Sequence, residues 1–195
     1  MCSTSETIPA WEQKIRDMAL SDPGLEISVN SLEAVENAHF AALIYKKYDP
    51  VPDNVRVQLI SIHIVTVQNV ETATRTCIDT IQGFKNEKPN RDVWGRAISE
   101  ACWTAKQSFS DRFDNASDQA VETITALPPT QHEGAAALFS YGMGIVRKVT
   151  NQASDGILDI DTKELLAENW NKLTEVDNDV KAGCSAARDA LNSMF

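Results

Sequence analysis

Apolar side chains at Trp94, Ile98, Ala101, Ala105, Phe109, Phe113, Ala116, Ala120, Ile124 and Leu127 recur in steps of three and four, with no proline to interrupt them. That spacing matches the helical repeat of about 3.6 residues per turn and puts one apolar stripe along a single helix face. A helix of this length is roughly 45 to 50 Å long and cannot bury its stripe against itself. It needs partner helices of similar length, and so the stripe points to a bundle.

Turn and stop signals divide the chain into six segments. They are Asp22-Pro23-Gly24, Asp49-Pro50-Val51-Pro52-Asp53, Glu87-Lys88-Pro89-Asn90, Pro128-Pro129 and Ser154-Asp155-Gly156. Proline lacks the donor that continues a helix and biases its predecessor away from the α region, while glycine accepts backbone angles that other residues avoid. Capping patterns open three segments, at Asn30-x-x-Glu33, Thr130-x-x-Glu133 and Asp161-x-x-Glu164. The last segment carries a second long stripe, Leu166, Trp170, Leu173, Val176, Val180, Cys184, Ala187, Leu191 and Met194. Residues 55–67 alternate and are β-branched, as a strand would be. The stripe Ile60, Ile64, Val67, Val70, Ala73, Cys77, Ile81 and Phe84 runs through them without a turn residue, which favours helix. Shorter helices are expected around Trp11, Ile15 and Met18, around Leu32, Val35, Ala42 and Leu43, and from Gln131 to Asn151.

The expected fold is therefore all-α, an elongated up-and-down bundle of five to six helices, several of them about 30 residues long. Residues 1–195 read as a single domain with residues 1–7 as a disordered tail, since no linker or internal repeat divides them. At 43% apolar residues the chain buries enough surface to fold without a metal or disulfide staple.

Charge narrows the partners. With 18 basic against 28 acidic side chains and a net charge of −10, the chain has the wrong sign for a phosphate backbone, so nucleic acid is not an expected partner. Lys85, Lys88, Arg91 and Arg96 form the only local basic group and read as a solvated connection. No secretory signal precedes the first helix, and the default expectation is a cytoplasmic chain. Cys2, Cys77, Cys102 and Cys184 contain no C-x-x-C pair, and three lie on apolar stripes, so buried free thiols are expected. Asn115-Ala-Ser117 matches a glycosylation acceptor but sits inside a helical run.

Several constellations approach a chemical site without completing one. Glu36-Asn-Ala-His39 puts a carboxylate and an imidazole on one helix face, the spacing used in di-iron bundles, which makes Glu36 and His39 the candidate metal ligands. Neither His63 nor His132 has a glutamate three residues before it, so the second half of such a centre is missing. Asp155, Asp159, Asp161 and Glu164 fail the calcium-loop register, and Asp159 and Asp161 read as helix N-terminal charges. Asp111-Arg-Phe-Asp114 resembles the acidic pairs that hold magnesium and diphosphate in helical prenyl-chain enzymes, yet no second metal-binding stretch accompanies it. At Asn178-Asp179 the hydroxyl and carboxylate that should follow are replaced by Ala182 and Ala186.

Residues 134–146 are uncharged, too short to span a bilayer, and rich in small side chains that let helices approach closely. They read first as a tightly packed core helix, the least stable of the long elements. In a second reading they leave the bundle to meet lipid or a partner helix, with Tyr141, Gly142, Met143 and Gly144 as the interaction residues. The sequence thus favours a non-catalytic bundle that binds a protein partner or an apolar ligand, with no cofactor and no transmembrane span. The alternatives are a membrane-active helical protein in peripheral contact with lipid, and a small helical enzyme built near Glu36 and His39.

Overall fold

Proline marks where three of the described helices begin. The structure, a computed structural model, describes residues 7–20, 50–84, 91–162 and 170–194, and 91% of these are helical, with no strand among them. Helix α1 (Ala10–Leu20) starts directly after Pro9, whose carbonyl accepts from the Gln13 amide. Helix α2 (Asp53–Gly83) starts after Pro52, whose carbonyl accepts from both Val55 and Arg56. Helix α3 (Arg91–Thr125) follows, and α4 (Pro129–Thr162) has proline as its first residue, where its missing amide would be unpaired in any case. Helix α5 (Asn171–Asn192) completes the described elements. The helix expected around Leu32 to Leu43 and, apart from Thr7, the expected tail 1–7 lie outside the described residues.

The stripes become the core. On α3, Ile98, Ala105, Phe109, Phe113, Ala116, Ala120 and Ile124 are buried, and on α5 every stripe residue from Leu173 to Leu191 is. Residues 55–67 are helical. They imitate a strand because α2 packs against α3, α4 and α5 at once, so apolar positions cover much of its circumference: Leu59, Ile60, Ile62, Val67 and Val70 are all buried.

Neighbouring helices run in opposite directions. Asn69 meets Ser108 and Cys77 meets Cys102 between α2 and α3, while Cys102 meets Ile157 and Ser99 meets Asp161 between α3 and α4. Between α2 and α5, Cys184 reaches the Val67 carbonyl and Arg75 faces Asp177. The all-α up-and-down expectation holds. Helix α1 lies across α3 and α4, where Ser117 donates to the Ile15 carbonyl at 3.3 Å, and Trp11 meets the His132 ring at 5.1 Å.

Helix α4 differs from the expected element. It does not stop at Ser154-Asp155-Gly156 but passes through to Thr162. Gly156 serves close approach and not chain reversal: a Cβ there would lie 2.7 Å from Val176 Cγ1 on α5. Asp159 and Asp161 consequently sit at a helix C-terminus, the unfavourable end for a negative charge, instead of at the N-terminus. Other elements supply the compensation, with Ser99 donating to Asp161 at 2.6 Å and the Lys172 ammonium 3.9 Å from Asp159. Thr130, read as a cap, already lies within α4, and Glu164 lies outside the described residues.

Helix α4 is in contact with all four other described helices. That removes the ground for expecting it to be the weakest long element, because its ends are not uncoupled from its neighbours. Its glycines differ sharply in consequence. Nothing lies within 4 Å of a Cβ built on Gly144. Gly144→Ala is therefore expected to stabilise the fold by roughly 0.5–1 kcal/mol through helix propensity and a less entropic unfolded chain. A urea midpoint that falls would contradict the open environment of this residue.

Candidate functional site

Two surface grooves lie in line along the pairing of α2 and α3. On α2, Asn54, Gln58, Ser61, Val65, Asn69, Thr72, Thr76 and Thr80 advance by threes and fours. On α3 the facing row is Ala97, Ala101, Thr104, Ser108, Arg112, Gln119, Thr123 and Ala126. Side chains three and four apart share one helix face, so each row is a single stripe and the two border one seam. The seam holds two grooves, of about 630 Å³ near the start of α2 and about 490 Å³ near its end. Between them Asn69 Nδ2 donates to Ser108 Oγ at 3.2 Å and bridges the helices.

Helical periodicity explains why the seam faces solvent. The apolar residues of α2 and α3 point into the bundle, which leaves short side chains where the helices meet on the outside. Many of these hydroxyls are already committed. Thr80 donates to the Thr76 carbonyl, Thr104 to Glu100 and Thr123 to Gln119, each within its own helix. A threonine bonded in this way has used its donor, so the seam is less polar than its composition implies. Among the groove-lining residues only Glu100, Arg112 and Glu122 carry charge. On a chain with net charge −10, that is a sparsely charged strip. Trp103, adjacent in sequence to the groove residue Thr104, is 65% exposed.

The residues singled out from sequence fall elsewhere. Glu36 and His39 lie outside the described residues, as do Lys85 and Lys88. Of the uncharged α4 segment, Gly142 and Met143 are buried inside the bundle, and Tyr141 and Gly144 are half-buried. Gly142 backs onto His63 of α2. A Cβ at Gly142 would be 2.5 Å from His63 Nε2, and the imidazole stacks on Phe139 at 4.5 Å between centroids. Burial pushes the His63 pKa down to about 3, against which the backbone of Phe139 acts only in part. His63 is thus a neutral core residue, and its ring fills the space that the glycine leaves. Arg147, one turn beyond Met143, is also buried, with its guanidinium 5.2 Å above the Phe113 ring; burial lowers its pKa.

Asp111 and Asp114 are exposed on α3. The pKa of Asp114 is raised by partial burial and then by the like charges of Asp111 and Asp118, the latter of which faces Arg16 of α1 at 3.5 Å. Asn115 is exposed, but Ser117 of the same acceptor pattern is buried against α1. Among the described residues, no three His, Cys, Asp or Glu side chains form a group that could hold a metal ion. No described helix is long and apolar enough to cross a membrane. Comparison with protein-family models, curated proteins and solved structures finds no match to this chain.

Sequence reasoning missed the α2–α3 seam. Its only trace is the repeated hydroxyls at Thr72, Thr76 and Thr80, which share one stripe beside the apolar one.

Proposed function

We propose that this chain is a non-catalytic helical bundle that binds a protein partner, and that the partner lays a helix along the α2–α3 seam. The observation that carries the reading is the sparsely charged, solvent-facing double row, rich in threonine, serine and alanine, that lines two grooves between α2 and α3. Interface cores are depleted in charge and enriched in aromatic residues, and small side chains let a third helix approach two others in a groove. The bridge between Asn69 and Ser108 would set the register, with anchoring side chains of the partner falling into the grooves on either side.

Site-specific photo-crosslinking tests this. A photoreactive side chain at Thr72 or Thr104 is expected to give a discrete adduct, and one at Lys181 on α5 is not. Ala101→Arg, which places a long cation in the seam, is expected to abolish the adduct while leaving the circular dichroism unchanged. Equal labelling at Thr104 and Lys181, or an adduct indifferent to Ala101→Arg, refutes the seam as the binding surface.

A further inference from the structure

Two of the three described cysteines face each other across α2 and α3. Cys77 and Cys102 are both buried, and their sulfur atoms are 4.0 Å apart. Ala73, Ala101 and Ala105 line the same groove as Cys77, so small side chains flank the contact on that side. Cys77 lines the 490 Å³ groove and Cys102 does not. Cys102 lies behind it, towards the Ile157 carbonyl of α4 at 3.7 Å. Cys184 is separate from both, buried against the Val67 carbonyl.

We propose that Cys77 and Cys102 are an oxidisable dithiol, in which a hydroperoxide entering the α2–α3 groove is reduced at Cys77 and the pair closes to an intramolecular disulfide. The Cys77 thiolate attacks one peroxide oxygen, the O–O bond breaks, and hydroxide leaves and is protonated to water. Cys77 is then a sulfenic acid. The Cys102 sulfur attacks Cys77 Sγ, the S–O bond breaks, and the departing hydroxide takes the Cys102 proton as a second water. In sum, two thiols and one hydrogen peroxide give one disulfide and two waters.

The order of events follows from placement. The groove brings a small oxidant to Cys77, and Cys102 is positioned to resolve it. Closing to a bond of about 2.05 Å requires the sulfurs to approach by about 2 Å, which side-chain rotation and a slight tightening of two alanine-lined helices supply. The S–H of Cys102 supports a thiolate on Cys77, opposed by burial and by the Asp161 carboxylate, while the remaining thiol is held above its ordinary range by the same partner. Cys184 has no neighbouring thiol: burial and then Glu71 raise it to about 11 against the opposing effect of Arg188, and it serves as an internal reference. The proposal is independent of the partner reading, because it needs only the folded chain.

The test uses full-length protein carrying Cys2→Ser, treated with hydrogen peroxide under native conditions and mapped by mass spectrometry after alkylation. The expected product is one cross-linked peptide pair joining Cys77 and Cys102, two hydrogens lighter than the separate peptides and reversed by dithiothreitol. Cys184 is expected to stay a free thiol. Cys102→Ala is expected to arrest Cys77 as a sulfenic acid that dimedone traps, and Cys77→Ala is expected to leave Cys102 unoxidised. The disulfide clips α2 to α3, so the oxidised protein is expected to melt on the order of 5 °C higher than the reduced one. Oxidation of Cys184 at the same rate, or of Cys77 to sulfinic acid with no cross-link in otherwise unaltered protein, overturns the proposal. So does complete resistance of Cys77 to peroxide in the folded state.

Discussion

Gly142→Leu is expected to destabilise the bundle by about 3 kcal/mol, at the upper end of the usual cost of overpacking a dense interior. The reason lies in the geometry of one contact. The His63 ring occupies the space that any side chain at Gly142 needs, with Cδ2 and Nε2 as its nearest atoms. The ring has no easy escape, since its other face stacks on Phe139 and the whole side chain is buried. Even Gly142→Ala is expected to destabilise, although alanine gains about 1 kcal/mol over glycine in an unconstrained helix. Gly144→Ala, two residues away, is expected to do the opposite, and the contrast removes backbone propensity as the explanation. Urea melts of the variants read the effect directly. A midpoint for Gly142→Ala at or above the parent value would mean that α2 and α4 are not in contact at this point.

Acid should weaken the fold through the same residue. His63 is neutral when folded, with its pKa pushed down to about 3 by burial, whereas an unfolded histidine titrates near 6.5. Below about pH 6.5 the unfolded chain therefore binds a proton that the folded chain refuses. The unfolding free energy falls as pH falls, by up to about 1.4 kcal/mol per pH unit, until the folded form also protonates near pH 3. Between pH 7 and pH 4.5 the loss from this one group amounts to roughly 2–3 kcal/mol. Carboxylates add their own pH dependence, so the informative quantity is the difference between the parent and His63→Leu. That difference is expected to shrink in favour of the variant as pH drops, and parallel stability profiles from pH 7 to 4.5 would show that His63 is not the buried neutral group described above.

Long stripes made α3 and α5 legible before any coordinates, because a 3.6-residue repeat sustained over many turns has one structural solution. The extent of α4 was not legible. Ser154-Asp155-Gly156 carries the composition of a turn, yet the same glycine serves a helix interior wherever a neighbour such as Val176 presses close, and only the packed structure distinguishes the two. The error carried over to Asp159 and Asp161, whose acidity looked like an N-terminal signal until the helix was seen to continue. At Gly142 the small-residue run did announce close packing, but not its partner: His63 lies on another helix and shows no marker in its own neighbourhood. The α2–α3 seam escaped for a related reason. Threonine, serine and alanine at helical spacing look like any solvated face until two such faces are placed side by side. Glu36 and His39, the metal candidates, lie outside the described residues.

The contact between His63 and Gly142 also orders events during synthesis. His63 lies on α2, whereas the residues that close over it, Phe139 and Gly142, are made later, on α4. Phe139 and Gly142 of α4 form one wall of the enclosure around the His63 ring, so the burial that holds its pKa down needs α4 in place. A chain that stops before α4 is therefore expected to lack the acid sensitivity that buried His63 gives the folded bundle.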